Sequence, residues 1–219
     1  MSDFKAFYDG KGQDYFSGMR TDILPLLPDA ANSVLEVGCG EGATLHWIRT
    51  IRKCRLAVGF ELIPSAASIA RCRADLVIQG NVENLELPFK ANAFDLILCL
   101  DILEHLVDPW ALVRRLTKIL KIGGCLIASI PNVKHHSVIL PLLFKGQWKY
   151  LPSGVLDKTH LRFFTQKTAI SLLESSGLCV DMVCSIGRER NSKSRIANIL
   201  SLGLLKVLFE AQYLIRAVK

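Results

Sequence analysis

Residues 34–42 read Val34-Leu35-Glu36-Val37-Gly38-Cys39-Gly40-Glu41-Gly42, and a helical pattern over Thr44–Ile51 follows at once. The apolar run predicts a strand over Ser33–Val37, and the glycines a tight turn that opens a helix. Glycine lets the backbone approach a ligand closely, and a helix N-terminus favours an anion or carboxylate. The stretch also fits the loose dinucleotide pattern Gly38-x-Gly40-x-x-Ala43, so the turn alone leaves the ligand open.

Outward from this turn, apolar runs and helical patterns alternate. Arg55–Phe60 reads as a strand, Ser65–Ala74 as a helix and Leu76–Ile78 as a short strand. Phe94–Leu100 (FDLILCL) is almost continuously apolar, as a parallel strand covered on both faces is. Asp108 can cap the next helix, with Pro109 at its first position, and Leu112, Val113, Leu116, Ile119 and Leu120 recur at helical spacing. Gly123 and Gly124 are expected to stop that helix before a strand over Cys125–Ile130. Five strands alternating with helices imply a parallel sheet with right-handed crossovers. Residues 1–30 read as a helical preface ending in the Pro-rich Leu24–Pro28. Residues 132–163 are rich in His, Lys and aromatics. Thr165 can cap a helix ending at Gly177. Strands are expected at Leu178–Ser185 and Gln212–Val218, with a basic loop (Gly187–Arg195) and an apolar helix (about 196–209) between them. No break in composition divides residues 1–219 into two domains.

Two carboxylates narrow the ligand. Glu36 stands two residues before the first glycine, where it would repel a pyrophosphate and suit a cationic amino or sulfonium group. Glu61, closing the second strand, can accept from both hydroxyls of a ribose. A ribose joined to a cationic amino acid describes S-adenosylmethionine better than NAD.

VLEVGCGEG, GFEL, GNVENLELPF, FDLILCLDILEHLVDP and LKIGGCLIASIPN, in that order, resemble class I S-adenosylmethionine-dependent methyltransferases over residues 33–132. PNVKHH followed by LDKTHLRFFT is similar to small methyltransferases associated with bacterial surface-polysaccharide and glycosyltransferase clusters. A more distant resemblance runs to ubiquinone-type O-methyltransferases. The resemblance implies a Rossmann-like, doubly wound α/β fold: a seven-stranded, mostly parallel sheet with an antiparallel C-terminal strand and helices on both faces. It implies that Glu36 and the backbone of Gly38, Cys39 and Gly40 hold the methionine portion of the cofactor. Glu61 would bind the ribose, Leu62 pack on the adenine, and Asn81 and Val82 line the adenine end. Many relatives carry Asp where Asn81 stands; its carbonyl oxygen can still accept from the adenine amino group. Leu100 and Asp101 would mark the meeting point of methionine chain and acceptor, and Arg20 would reach the cofactor carboxylate from the preface.

Methyl transfer needs an aligned acceptor and, for a hydroxyl, removal of its proton. His135 and His136 follow the fifth strand, at the edge where ligands bind in such sheets. His160 lies near Asp157, which could orient its imidazole, and is the candidate base. His105 falls near the cofactor rim as a loop-orienting residue, and His46 is read as structural. Cys179 and Cys184 do not have tetrahedral N/S spacing and no carboxylate cage is evident, so a metal-independent enzyme is expected.

The chain has 219 residues, is half hydrophobic, and carries 27 Lys+Arg against 20 Asp+Glu, for a net charge of +7. This composition excludes a disordered or fibrous protein. Seven cysteines without a CxxC pair suit a reducing cytoplasm, and no apolar signal region opens the chain. The excess charge first suggests a nucleic acid. Base-modifying enzymes, however, carry an Asn/Asp-Pro-Pro-aromatic motif where this chain has Leu100-Asp101-Ile102-Leu103. Residues 181–219 hold seven basic against three acidic residues, including the tract Arg188–Arg195 before the apolar helix, which could rest on an anionic membrane. The expected acceptor is a small molecule, sugar or glycolipid. The alternatives are a non-catalytic S-adenosylmethionine-binding or partner-binding module, and an NAD enzyme.

Overall fold

A computed structural model describes residues 14–187 and 205–219. Its strands are β1 (Ser33–Val37), β2 (Leu56–Glu61), β3 (Leu76–Gln79), β4 (Phe94–Leu100), β5 (Leu120–Pro131), β6 (Cys179–Ile186) and β7 (Gln212–Val218). They form one seven-stranded sheet in the order β3-β2-β1-β4-β5-β7-β6. Neighbours from β3 to β5 are parallel, while β7 runs antiparallel to both β5 and β6. The strand order reverses between β1 and β4, so the connections leaving their carboxyl ends diverge and open a crevice there.

The helices are α1 (Asp14–Ser17), α2 (Ala43–Arg52), α3 (Pro64–Ala70), α4 (Pro109–Ile119), α5 (His136–Lys145), α6 (Gln166–Glu174) and α7 (Lys206–Phe209). Period-two alternation divides the core between the two faces of the sheet. Leu35, Val37, Ile97 and Leu126 pack with Leu112, Val113 and Leu116 of α4 and Leu172 of α6. Val34, Leu96, Leu98 and Ile127 pack with Leu45 and Ile48 of α2 and with Ile23 and Leu26. Each such side chain, fully buried, contributes on the order of 1.5–3 kcal/mol. Helices on both faces are thus a requirement of the sheet's composition. Caps fix the helix starts: the Asp108 carboxylate accepts from the Ala111 N–H at 2.9 Å, and Thr165 with Thr168 closes a reciprocal capping box on α6.

Three local expectations need correction. The preface is not a continuous helix: α1 is one turn, and a 3-10 segment over Thr21–Leu26 contains Pro25, which cannot donate to a longer ladder. Helix α3 stops at Ala70, four residues early, in a series of turns. Gly123 and Gly124 do not end α4, which closes at Ile119 when Leu120 turns extended. They lie inside β5, where its register with β4 jumps from Phe94↔Leu120 to Leu96↔Cys125. A Cβ on Gly124 would stand 2.9 Å from the Asp95 carbonyl oxygen, so the bulge needs a glycine there.

The 132–163 segment begins and ends at one place, because Asn132 bridges Phe164. Asn132 is fully buried. Its amide donates to the carbonyls of Val207 (2.8 Å) and Glu210 (2.7 Å), and its oxygen accepts from the Lys134 N–H. The tract Arg188–Arg195 and residues 196–204 of the expected helix lie outside the described residues, as do residues 1–13. Among the described residues, no helix is long and apolar enough to cross a membrane.

Candidate functional site

A cavity of about 260 Å³ opens at the carboxyl ends of β1, β2 and β4. Its wall includes Arg20, Glu36, Gly38, Cys39, Gly40, Glu61 and Leu62, and further round Asn81, Val82, Leu100 and Asp101. The structure therefore brings every residue expected at the cofactor to one pocket. His135, His136 and His160 do not line it, whereas His105 does.

The glycine turn is built from its own hydrogen bonds. The Gly38 and Cys39 N–H groups donate to the Phe60 carbonyl at 2.8 and 3.0 Å. Gly40 N–H donates to Glu61 Oε2 at 2.8 Å, Glu41 N–H to the Phe16 carbonyl, and Gly42 N–H to the Cys39 carbonyl. Five successive amides thus serve the fold. No amide between Gly38 and Gly42 is left to cradle a pyrophosphate. Gly38 and Gly40 have φ of 73° and 54°, the left-handed region where glycine is unstrained.

Glu36 is 3% exposed, and its Oε2 has no hydrogen-bond partner. Burial raises its pKa to about 8, Arg20 opposing the shift and Glu61 adding to it. A buried carboxylate oxygen without a donor is costly unless it stays protonated or meets a cation. Glu61 is also raised by burial, against the pull of backbone N–H groups. Its second oxygen accepts from the Ile63 N–H at 2.8 Å, so both oxygens are oriented by backbone before any ligand arrives. Burial, together with Glu36 and Glu61, pushes the Cys39 thiol far up, so Cys39 packs as an apolar residue.

Arg20 sits between α1 and the 3-10 segment. Its guanidinium pairs with Asp22 and Asp101 and donates to Ser129 Oγ at 3.0 Å, while its N–H donates to Thr44 Oγ1. Asp101 holds φ of 55° just past β4 and accepts from Ser129 and from Gln212 of β7. On the adenine side, Asn81 Oδ1 accepts from the Glu83 N–H at 2.9 Å and keeps a second lone pair. Arg115 of α4 fixes that loop through the carbonyls of Val82, Glu83 and Leu85. Ser129, Gln212 and Arg115 are contributors that the sequence motifs did not indicate. Ser129 and Gln212 each leave the trace of a polar residue beside an apolar run, whereas Arg115 follows Arg114 in an amphipathic helix and leaves none.

The histidines have distinct surroundings. His135 caps α5 and contacts Ser137 Oγ at 2.8 Å, and the His136 Nδ1 meets the Leu208 carbonyl at 3.1 Å. The His160 Nδ1 donates to the Val155 carbonyl at 2.9 Å. Asp157 Oδ1 accepts from both the N–H and the hydroxyl of Thr159.

A family model described as a methyltransferase domain matches residues 12–182. The chain belongs to the methyltransferase domain family. Its sheet is that of the class I S-adenosylmethionine-dependent methyltransferases. Such an enzyme from Archaeoglobus fulgidus aligns with a TM-score of 0.68 at 17% identity, covering 100% of both chains. Another, from Mesorhizobium loti, aligns at 0.65 and 18% identity, covering 95% of this chain and 100% of that one. In sequence, this methyltransferase is 26% identical over 163 residues to a ubiquinone biosynthesis O-methyltransferase of Cereibacter sphaeroides, covering 72% of this chain and 64% of that one. It is 30% identical over 124 residues to one of Albidiferax ferrireducens, covering 54% and 48%. The chain thus spans less than two thirds of the length of these curated relatives. Its cofactor is S-adenosylmethionine, and the residues present fit it: Glu36 offers an unpaired buried oxygen to a cation, and the consumed amides disfavour a pyrophosphate.

Proposed function

We propose that this methyltransferase methylates a hydroxyl of an amphiphilic small molecule, such as a sugar on a lipid-linked glycan, at a membrane surface. The observation that carries this reading is the chemistry of residues 133–156, which follow β5 at the sheet edge where the cofactor pocket opens. That stretch contains Lys134, Lys145 and Lys149 and no Asp or Glu. It exposes Leu143 (71%) and Phe144 (75%), with Leu140, Trp148 and Tyr150 also exposed. Apolar and aromatic side chains set among lysines are the composition of an anionic lipid interface. The named relatives are O-methyltransferases in ubiquinone biosynthesis, which supports a hydroxyl acceptor.

In this reading, Glu36 receives the ammonium of the methionine portion and Arg20 its carboxylate. Glu61 accepts from the ribose hydroxyls, and Leu62, Asn81 and Val82 hold the adenine. When bound, S-adenosylmethionine supplies an activated methyl: the acceptor oxygen forms the new C–O bond, the S–C electron pair stays on sulfur as a neutral thioether, and the hydroxyl proton is released. The chain's own task is to orient the acceptor at Leu100 and Asp101 and to receive that proton.

Radiolabelled S-adenosylmethionine, offered with panels of sugar nucleotides, lipid-linked glycans and quinols, tests the reading. Label is expected in a hydroxyl acceptor, with faster transfer on anionic vesicles. Tight cofactor binding without transfer to any panel member would overturn it in favour of a non-catalytic module.

A further inference from the structure

We propose that Glu104, His105 and His160 form a site for one divalent metal ion of the zinc class, beside the cofactor pocket, whose open coordination positions take the acceptor oxygen. The choice of acceptor rests on the function proposed above; the metal site does not.

The three side chains are all buried, and one ligand-capable atom from each lies within 4.8 Å of the others. Two imidazoles and a carboxylate are a donor set that zinc and its neighbours take while keeping positions open for an oxygen ligand. Both imidazoles are held by backbone carbonyls. The His105 Nδ1 meets the Thr159 carbonyl at 3.1 Å and the His160 Nδ1 the Val155 carbonyl at 2.9 Å. A carbonyl only accepts, so each Nδ1 carries the proton and each Nε2 the lone pair. This backbone-carbonyl orientation is the one metal-binding histidines commonly use.

Glu104 supplies an independent observation. It is 1% exposed, and neither carboxylate oxygen has a hydrogen-bond partner. A buried carboxylate so placed is costly unless it stays protonated or meets a cation. Asp101 and Asp157 add negative potential around it, with Arg20 as the opposing charge. The His160 Nε2 stands 4.0 Å from Glu104 Oε1, too long for a hydrogen bond. Ligands around a tetrahedral ion stand roughly 3.4 Å apart, given metal–ligand lengths near 2.1 Å. Closing on an ion therefore shortens the His160–Glu104 separation by about 0.6 Å.

The fold holds these residues in register although they are distant in sequence. A 3-10 turn over Leu103–His105 carries two of them. Residues 159–162 are zipped onto it: the Leu161 and Arg162 N–H groups donate to the Glu104 carbonyl at 2.8 and 3.0 Å, and Arg162 donates to the Val107 carbonyl. His105 also lines the cofactor pocket, which gives the cluster a route to the acceptor. The expectation of metal independence came from local spacing, and these ligands have none. A bound divalent ion would lower the pKa of a coordinated hydroxyl, which supplies the activation that His160 was expected to give as a base.

Full-length protein stripped with EDTA should bind one Zn²⁺ per chain by titration calorimetry, and Co²⁺ should give a visible absorption band. His160→Ala and Glu104→Gln should each weaken Zn²⁺ binding on the order of 100-fold or more, above the loss for an outer-shell partner. S-adenosylmethionine affinity, measured in the same samples, should hold and certify folding. Because Cys72 and Cys179 are exposed thiols, Cys72→Ser/Cys179→Ser should keep full Zn²⁺ affinity. Absence of stoichiometric binding overturns the proposal, as does equal affinity in a folded His160→Ala, or loss of binding with the two thiols. Cofactor binding without metal binding would leave the methyltransferase reading intact; metal binding without methyl transfer would overturn the acceptor reading alone.

Discussion

At neutral pH, Glu36 should be a carboxylic acid in the free protein and should lose its proton when S-adenosylmethionine binds. With its pKa raised by burial to about 8, it is about nine-tenths protonated at pH 7. An ammonium against its unpaired oxygen stabilises the carboxylate, so about 0.9 proton leaves per cofactor bound at pH 7. Affinity should then rise nearly tenfold from pH 6 to pH 7, about 1.4 kcal/mol, while the ligand's own amino group stays charged. The sign for stability is the reverse. A carboxyl whose folded pKa is raised contributes stability that is full below its unfolded value, near 4.5, and is lost as pH rises through about 8. The free protein should therefore lose stability between these values, and the cofactor should restore it. Calorimetry in two buffers of different protonation enthalpy reads the proton count directly. Glu36→Gln should bind more weakly with near-zero proton release. Buffer-independent binding by the wild type at pH 7, or equal release by Glu36→Gln, would refute the reasoning.

Glu61→Gln must turn its NH₂ toward either the Gly40 or the Ile63 N–H, since each oxygen accepts from one of them. Loss of one charge-assisted bond, at about 1.5–3 kcal/mol, should weaken cofactor binding by calorimetry roughly 10- to 150-fold. Gly40→Ala places a Cβ 2.5 Å from the Phe16 carbonyl oxygen at positive φ, and should abolish cofactor binding in the same assay. Asn132→Ala frees two carbonyl partners and should cost about 2–4 kcal/mol, lowering the melting temperature by roughly 4–16 °C in a scanning experiment. Leu143→Ser/Phe144→Ser should reduce sedimentation with anionic vesicles while leaving cofactor affinity unchanged; undiminished sedimentation would remove the lipid-facing role.

The sheet was legible where a segment's own residues decide its structure. Ser33–Val37, Phe94–Leu100 and Gln212–Val218 have the same bounds in the structure as in the pattern, the first two as apolar runs and the last by its alternation. The cofactor wall was legible for a related reason. Glu36, Glu61, Asn81 and Asp101 each stand at or just past the end of a strand, and parallel strands bring those ends together. What the pattern could not show depends on pairing across distance. Nothing local to Gly123 and Gly124 tells a helix stop from a bulge; the proximity of Asp95 on β4 does. Nothing local to the glycine turn shows that the Gly38 and Cys39 amides are taken by the Phe60 carbonyl. His160 was singled out beside Asp157, and the motif held no sign of the Val155 carbonyl at its Nδ1 or of Glu104 on a separate turn, 4.0 Å from its Nε2.

The bridge between Asn132 and Phe164 closes the intervening segment at its neck. A closed excursion of this kind can change length or content while β5 and α6 stay where they are. Doubling a flexible loop costs only about 0.6 kcal/mol in closure entropy. The cofactor wall is contributed by residues outside the excursion, so evolution can exchange the excursion as a cassette. A new acceptor would then require replacement of one surface loop, with the methyl-donor machinery inherited unchanged. Grafting the segment between two such enzymes at these neck residues is the engineering form of the same statement.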